Sequence, residues 1–127
     1  MSFTKPIPYG RQHITAEDIN AVVRSLQSDF LTQGPTIEAF ENNFAEYIGC
    51  KYAVAVSNGT AALHLSALAL GVNEKIKVIT SPITFAASAN CILYCGGKIE
   101  FSDIDEESAT LDINKVRQLL TDSPRGT

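Results

Sequence analysis

Residues 52–71, with the sequence YAVAVSNGTAALHLSALALG, constrain the fold more than any other part of the chain. The Val- and Ala-rich run at residues 52–56 predicts a buried strand, and the Ala/Leu-rich segment at residues 61–70 predicts a helix. Gly71 follows at the position where helices commonly end. Because the polar string SNGT separates the two segments, the stretch predicts a strand, a tight turn and a helix.

The turn at residues 57–60 is a candidate anion site. The first N–H groups of a helix have no partner inside the helix, and the helix dipole adds partial positive charge there. Gly59 lets a phosphate approach the backbone, and Ser57, Asn58 and Thr60 offer side-chain hydrogen bonds. The alternative is an ordinary turn in which Ser57 or Asn58 caps the helix. Spacing alone favours this alternative, since SNGT is a short and common string.

Composition indicates one globular domain and excludes several classes of protein. The 127 residues are 45% apolar and 19% charged, which is ordinary for a chain with one core. A net charge of −4 without a basic cluster gives no electrostatic support for nucleic-acid binding. No apolar run is long enough to cross a bilayer, and the N-terminus lacks the apolar core of a signal peptide. We therefore expect a soluble cytoplasmic protein.

Neither a metal site nor a disulfide framework is indicated by the three cysteines, Cys50, Cys91 and Cys95. Their number is odd and none forms a C-x-x-C pair, so free thiols in a reducing compartment are expected. Cys91 and Cys95 would share a helix face, but no second pair or nearby histidine completes a set of metal ligands. No metal is expected.

The N-terminal residues predict an extended arm and then a helix. Residues 1–14 contain Pro6, Pro8 and Gly10, which favours an extended arm. Thr15 with Asp18 has the spacing of a capping box, so a helix is predicted to begin there. Apolar residues then recur at helical spacing and predict one apolar face, formed by Ile19, Val22, Val23 and Leu26.

A glycine–proline pair separates this helix from the next. Gly34-Pro35 breaks the helical pattern within residues 28–36, and a second amphipathic helix is predicted from about residue 36 to residue 47, ended by Gly49. We expect residues 1–36 to form the arm, the first helix and a loop. Residues 37–127 are expected to belong to a larger α/β domain.

The rest of the chain alternates strands and helices. Strands are predicted at residues 76–80 and 99–101, and a buried helix at residues 84–95. Asp112 is predicted to cap a last helix, whose apolar face contains Ile113, Val116, Leu119 and Leu120. The resulting order β-α-β-α-β-α predicts an α/β fold with a mostly parallel sheet covered by helices. Three strands are few for an open sheet, so we expect this chain to be the front part of a longer protein.

A second loop is expected at the same edge of the sheet as the anion site, because ligands of open α/β sheets bind beyond the carboxyl ends of the strands. The string SPITF at residues 81–85 places Phe85 at the opening of a helix. A flat aromatic ring beside an anion site suits a ligand with a phosphate and a ring, although Phe85 in isolation is better interpreted as a core residue.

For the other polar residues, a structural role is favoured over a functional one. Asp103 and Asp105 form a carboxylate pair or, with more weight, a solvated acidic turn. His64 lies in an apolar helix and is expected to be packed and hydrogen-bonded rather than catalytic. The sequence contains no Walker string, no G-x-G-x-x-G string and no nucleophile–histidine set. An unrelated nucleotide-binding domain, another alternative, is therefore disfavoured.

Several strings in order resemble one family. They are IPYG at residues 7–10, LTQGP at 31–35, FENNFAEYIG at 40–49, KYAVAVSNGTAALHL at 51–65, SPITFAASAN at 81–90 and FSDID at 101–105. Together they resemble the N-terminal part of the sugar-nucleotide aminotransferases of the DegT/DnrJ group, over residues 7–120. Within that group they are most similar to the branch of pseudaminic acid biosynthesis. The resemblance implies a pyridoxal-phosphate enzyme of the aspartate-aminotransferase fold (fold type I).

The resemblance also implies roles for individual residues. Gly59, Thr60 and Ala61 match the turn that holds the cofactor phosphate, and Phe85 matches the aromatic residue that stacks on the cofactor ring. The positions that match contacts to the sugar nucleotide are Tyr9, Asp29, Phe30, Leu31, Thr32 and Gly59. The implied cofactor is pyridoxal 5′-phosphate, and the implied substrates are a UDP- or dTDP-linked 4-keto sugar and L-glutamate. A homodimer is implied because the family builds its active site between two subunits.

The family's catalytic residues have no match in this chain. The Schiff-base lysine is expected beyond Thr127, so residues 37–127 would be the first, incomplete part of the cofactor-binding large domain. We therefore expect that the 127 residues alone do not transaminate.

Two alternatives remain open. One is a sugar dehydratase of the same family, in which a histidine replaces the lysine. The other is a non-catalytic regulatory protein that keeps the fold.

Overall fold

The computed structural model describes residues 8–122. The chain divides into two compact units, Met1–Ala55 and Val56–Thr127. The predicted division after residue 36 concerns the domains of a larger fold and stays a prediction.

The first unit contains two helices, α1 (Ala16–Leu26) and α2 (Pro35–Ile48). The predicted capping box is confirmed: the Thr15 N–H donates to Asp18 Oδ2 at 2.8 Å, and the Asp18 N–H donates to Thr15 Oγ1 at 3.3 Å. The predicted apolar face of α1 is largely exposed, with Leu26 at 64%. This face therefore meets little of the described chain.

Helix α2 begins and ends where its residue types dictate. Pro35 occupies the first turn, where its missing N–H costs nothing. Gly49 ends the helix in the left-handed conformation, with φ 76°. The rings of Phe40 and Phe44, one turn apart, stack with centroids 5.8 Å apart.

The predicted strand at residues 52–56 is wrong, because these residues form no ladder within residues 8–122. Tyr52 and Val54 are 74% and 78% exposed rather than buried. A strand needs the hydrogen bonds of a neighbouring strand. The Ala55 N–H instead donates to Glu41 Oε1 of α2, at 2.7 Å.

The second unit contains helix α3, strand β1, helix α4, strand β2 and helix α5, in that order. Their bounds are Gly59–Ala69, Lys77–Thr80, Ala87–Tyr94, Lys98–Phe101 and Ile113–Asp122. Strands β1 and β2 pair in parallel, with Val78 opposite Ile99. Helix α4 is the crossover between them, as parallel pairing requires. The predicted α/β class with a parallel sheet is confirmed.

The core of this unit lies where α3 and α4 meet one face of the strand pair. Ala67, Cys91 and Ile92 are buried there, and Val72, Val78, Cys95 and Ile99 pack against them. Gly97 is part of the same packing: a Cβ atom there would lie 2.7 Å from Val72 Cγ1 and 2.8 Å from Ile92 Cγ2. The predicted burial of the helix in residues 84–95 is thus confirmed for its inner face, although the helix begins only at Ala87.

Helix α5 begins as predicted. Asp112 Oδ1 accepts hydrogen bonds from the N–H groups of Asn114 and Lys115, at 2.8 and 3.3 Å. An isolated antiparallel bridge between Ile104 and Leu111 closes the loop that precedes the helix.

Candidate functional site

The turn that opens α3 contains three candidate phosphate donors, the N–H groups of Gly59, Thr60 and Ala61, and one of them is already hydrogen-bonded. Asn58 is the cap, because its Oδ1 accepts the hydrogen bond of the Ala61 N–H at 2.9 Å. Within residues 8–122 no acceptor is found for the N–H groups of Gly59 and Thr60. Two of the three predicted amides are therefore available to a ligand, and the third is already used by the cap.

Space around Gly59 is open on the side where a side chain would stand. In the part of the chain that the structure describes, no heavy atom lies within 4 Å of the position that a Cβ atom would take there. A phosphate group can therefore come close to the backbone, and the half-buried Thr60 carries a hydroxyl group into the same turn. The turn has the donors and the room that an anion needs, at the positive end of an 11-residue helix.

Phe85 lies in the loop between β1 and α4 with its side chain 76% exposed. The interpretation of Phe85 as a core residue is therefore excluded for the chain that the structure describes. The loop is organised by short bonds: the Ile83 N–H donates to Ser81 Oγ at 3.1 Å, and the Thr84 and Ser88 hydroxyls lie 3.1 Å apart. An exposed ring on a hydrogen-bonded loop can cover a flat ligand without first leaving the core.

The Gly59 turn and the Phe85 loop belong to the same compact unit. Each opens one of two helices, α3 and α4, that pack against each other through Ala67, Cys91 and Ile92. The unit therefore holds both loops on one packed scaffold.

Five of the six predicted sugar-nucleotide residues lie in the first unit, and the sixth, Gly59, opens α3 in the second. Tyr9 is fully exposed in the arm, and Phe30 and Leu31 are 61% and 69% exposed in the loop between α1 and α2. Asp29 and Thr32 are exposed in the same loop. The structure thus brings four of the predicted contacts together in one loop.

Two lysines of the second unit are engaged as ion pairs. Lys77 Nζ lies 2.9 Å from Glu100 Oε2, and Lys115 Nζ lies 3.1 Å from Asp103 Oδ2. The hydrogen bond to Asp103 raises the pKa of Lys115. Because a catalytic amine needs a lowered pKa, Lys115 is unsuited to that role.

The acidic turn after β2 is solvated, as expected. A hydrogen bond from the Ile104 N–H, and then the Lys115 ammonium group, hold the pKa of Asp103 below its usual value. The Ser108 N–H and hydroxyl lower the pKa of Asp105 in the same way. Both carboxylates are therefore occupied by local bonds.

His64 is packed but differs from its prediction in one respect. Its ring meets Tyr94 edge to face, with centroids 5.4 Å apart. No hydrogen bond to the ring is found in the described part of the chain, so an aromatic contact takes the place of the expected polar one.

Sequence reasoning missed two residues of the α1–α2 loop. Ser28 Oγ lies 2.7 Å from the Ser25 carbonyl oxygen and 3.0 Å from that of Phe30. The sequence predicts only a helix break at Gly34, yet a Cβ atom there would lie 2.5 Å from Phe30 Cβ. The pair Gly34-Pro35 is a signal for a loop but carries no information on what packs against the glycine.

Clusters of metal-ligand residues and membrane-spanning helices are both absent from residues 8–122. Between residues 8 and 122 no group of three or more His, Cys, Asp or Glu residues is arranged to hold a metal ion. No helix in that range has the length and apolar character needed to cross a membrane.

Comparison with known proteins gives relatives over nearly the whole chain. The curated UDP-4-amino-4,6-dideoxy-N-acetyl-beta-L-altrosamine transaminase of Campylobacter jejuni (strain 81-176) is 46% identical over 114 residues, which is 90% of this chain and 30% of that protein. The chain thus spans about 30% of the length of the curated relatives it matches.

Solved structures agree with the fold. Helicobacter pylori PseC, an aminotransferase involved in the biosynthesis of pseudoaminic acid, matches with a TM-score of 0.81 and 30% identity over 91% of this chain and 31% of its own. Spr1654 of Streptococcus pneumoniae in its PLP form matches with a TM-score of 0.81 and 29% identity, over 88% and 29%. The predicted fold, the N-terminal part of a PLP-dependent aminotransferase of fold type I, is confirmed.

A sequence model of the DegT/DnrJ/EryC1/StrS aminotransferase family matches residues 12–126. This range contains the Gly59 turn, the Phe85 loop and the loop at residues 28–34. The chain belongs to the DegT/DnrJ/EryC1/StrS aminotransferase family.

Proposed function

We propose that this chain supplies the cofactor-phosphate turn and the ring-covering aromatic residue of a pyridoxal-phosphate-dependent aminotransferase. The whole protein would move an amino group from L-glutamate to a UDP- or dTDP-linked 4-keto sugar, in the cytoplasm, for a modified or cell-surface sugar such as pseudaminic acid. The observation that carries the proposal is the opening of α3, where the Gly59 and Thr60 amides have no acceptor among residues 8–122 and open space adjoins Gly59.

The phosphate would be held by donors of the α3 turn. The Gly59 and Thr60 N–H groups donate to its oxygens, and Thr60 Oγ1 adds a third donor, with the helix dipole favouring the negative charge. Ala61 contributes only if the Asn58 side chain gives up its hydrogen bond. Asn58 thus determines whether the Ala61 N–H is available to the phosphate, and it is not itself the main donor.

The ring would lie against Phe85. Its exposed side chain supplies a flat apolar surface that stacks on an aromatic ligand and excludes water from that face. When bound, pyridoxal phosphate supplies the electron sink for carbanion chemistry. The residues of this chain orient the cofactor, and the Schiff-base lysine beyond Thr127 remains part of the proposal.

The sugar nucleotide would be contacted by Tyr9, the loop at residues 29–32 and Gly59. The exposure of Tyr9, Phe30 and Leu31 leaves these side chains available to a ligand. A homodimer is part of the same proposal, and the exposed apolar side chains of α1, from Ile19 to Leu26, are surfaces that a second copy could cover.

Cofactor titration of the full-length protein tests the proposal. Thr60→Val removes one donor to a charged group and should weaken pyridoxal-phosphate binding by about 1.5–3 kcal/mol, roughly ten- to a hundredfold. Phe85→Ala should also weaken binding, and Phe85→Tyr should keep it.

Thr121→Val is the matched control, because the one acceptor that the described residues give the Thr121 hydroxyl is the Arg117 carbonyl group of its own helix. Equal cofactor affinity in Thr60→Val, Phe85→Ala and this control would refute the assigned roles.

A further inference from the structure

Phe30 leaves no room for a side chain at residue 34. A Cβ atom at position 34 would lie 2.5 Å from Phe30 Cβ, 3.3 Å from the Phe30 carbonyl oxygen and 3.5 Å from Phe30 Cγ. Carbon atoms in contact are ordinarily about 3.5–4.0 Å apart, so any side chain at residue 34 must move Phe30 by roughly 1 Å. Since the closest atom is the root of the Phe30 side chain, rotating its ring cannot relieve the contact.

The requirement for glycine is one of space and not of backbone conformation. Gly34 has φ −90° and ψ −179°, which any residue adopts. Pro35 independently favours this extended conformation for the residue before it. An alanine at position 34 therefore suits the backbone, and its effect would come from the contact with Phe30.

Two further constraints hold the same loop, one at Ser28 near α1 and one at Gln33 beside Gly34. The Ser28 hydroxyl, with its one hydrogen, lies within reach of the carbonyl oxygens of Ser25 and Phe30. Gln33 has φ 51°, a left-handed conformation that is uncommon for a residue with a side chain. Backbone strain of this kind persists where the surrounding structure fixes it.

We propose that Gly34 is a positioning residue for the sugar-nucleotide contacts at residues 29–32, acting by seating the Phe30 backbone against the start of α2. Ser28 is its counterpart on the α1 side of the loop. This inference rests on the proposed function and adds residues that touch neither the cofactor nor, themselves, the sugar nucleotide. The loop is presented in one conformation before ligand binds, which spares the cost of ordering it.

The test measures binding of two stable sugar nucleotides, UDP-N-acetylglucosamine and dTDP-glucose, to the full-length protein by calorimetry. Gly34→Ala should displace the contacts at residues 29–32 by roughly 1 Å, and a displacement of that size is costly at a positioned site. The Kd of whichever probe the wild type binds should therefore rise about tenfold or more. The cofactor absorbance spectrum should not change. Asn43→Ala, an exposed substitution on α2, is the control and should bind as the wild type does.

A double-mutant cycle separates positioning from general loss of structure. Phe30→Gly removes the Cβ atom that the new methyl group would meet, whereas Phe30→Ala keeps it. The effect of Gly34→Ala on Kd should therefore persist in the Phe30→Ala background and largely disappear in the Phe30→Gly background. The same effect in both backgrounds would overturn the proposal.

Ser28→Ala keeps the proposal testable if Gly34→Ala does not fold. It should raise the Kd of the same probe about threefold or more, because one ordinary hydrogen bond is lost. The cofactor absorbance should not change. Wild-type Kd in a folded Gly34→Ala protein or in Ser28→Ala would overturn the inference. A wild-type protein that binds neither probe would overturn the proposed function, and this inference with it.

Discussion

Asn58 offers a substitution whose effects on stability and on cofactor binding should have opposite signs. Its Oδ1 caps α3 by accepting from the Ala61 N–H at 2.9 Å, two residues beyond Gly59. Asn58→Asp keeps an oxygen at the same place, since aspartate caps helices as well as asparagine does. It adds a negative charge at the positive end of the helix, which should stabilise the cofactor-free protein by about 0.3–1 kcal/mol.

The same charge should repel a bound phosphate. At a separation of about 6 Å, close to one helical turn, each pair of unit charges costs about 0.7 kcal/mol at the dielectric constant of water and about 2.8 kcal/mol at 20. Cofactor affinity should therefore fall roughly three- to a hundredfold. Asn58→Ala should instead lower the free energy of unfolding by about 1 kcal/mol, because the cap is lost.

Thermal unfolding without cofactor and cofactor titration by absorbance are the two assays. The expected pattern for Asn58→Asp is a higher Tm with a higher Kd for pyridoxal phosphate. If Asn58→Asp raises the Tm and leaves the Kd unchanged, no phosphate lies beside this turn. If it lowers both the Tm and the affinity, the cap itself has been misassigned.

Two further predictions concern stability. Gly97→Ala should destabilise the protein by about 1–3 kcal/mol, because its methyl group would overlap Val72 and Ile92. Gly10→Ala should be neutral, because no atom of residues 8–122 lies within 4 Å of the position that its methyl group would take. Denaturant unfolding of both variants checks this, and equal stability would contradict the packing at Gly97. The Thr15 N–H, and then its hydroxyl, lower the pKa of Asp18 below 3.8, so its contribution to stability is present above that pH and is lost as the pH falls through the lowered value. Asp18→Asn should therefore flatten the loss of stability below about pH 4, and an unchanged acid-unfolding curve would contradict the capping box.

Local signals predicted the helix ends well. The Thr15–Asp18 box, the Gly49 stop and the Asp112 cap each depend on residues within one turn, so the sequence contains all that is needed. Helix α3 begins at Gly59, two residues before the Ala/Leu-rich segment, and its cap is Asn58, one of the two residues that the sequence offers for that role.

Features that depend on distant residues were predicted less well. The run at residues 52–56 has the composition of a strand, but pairing needs a neighbour that composition does not supply, and the Ala55 N–H bonds Glu41, 14 residues away. Helix α4 begins at Ala87 because residues 81–84 form a hydrogen-bonded loop. Exposure also depends on the whole fold, which is why Phe85 in isolation resembled a core residue.

A crystal structure of the full-length protein with pyridoxal phosphate would decide whether the α3 turn holds the cofactor phosphate. We predict phosphate oxygens within hydrogen-bond distance of the Gly59 and Thr60 amides, with the cofactor ring against Phe85. A phosphate bound elsewhere, with both amides facing only solvent, would contradict it.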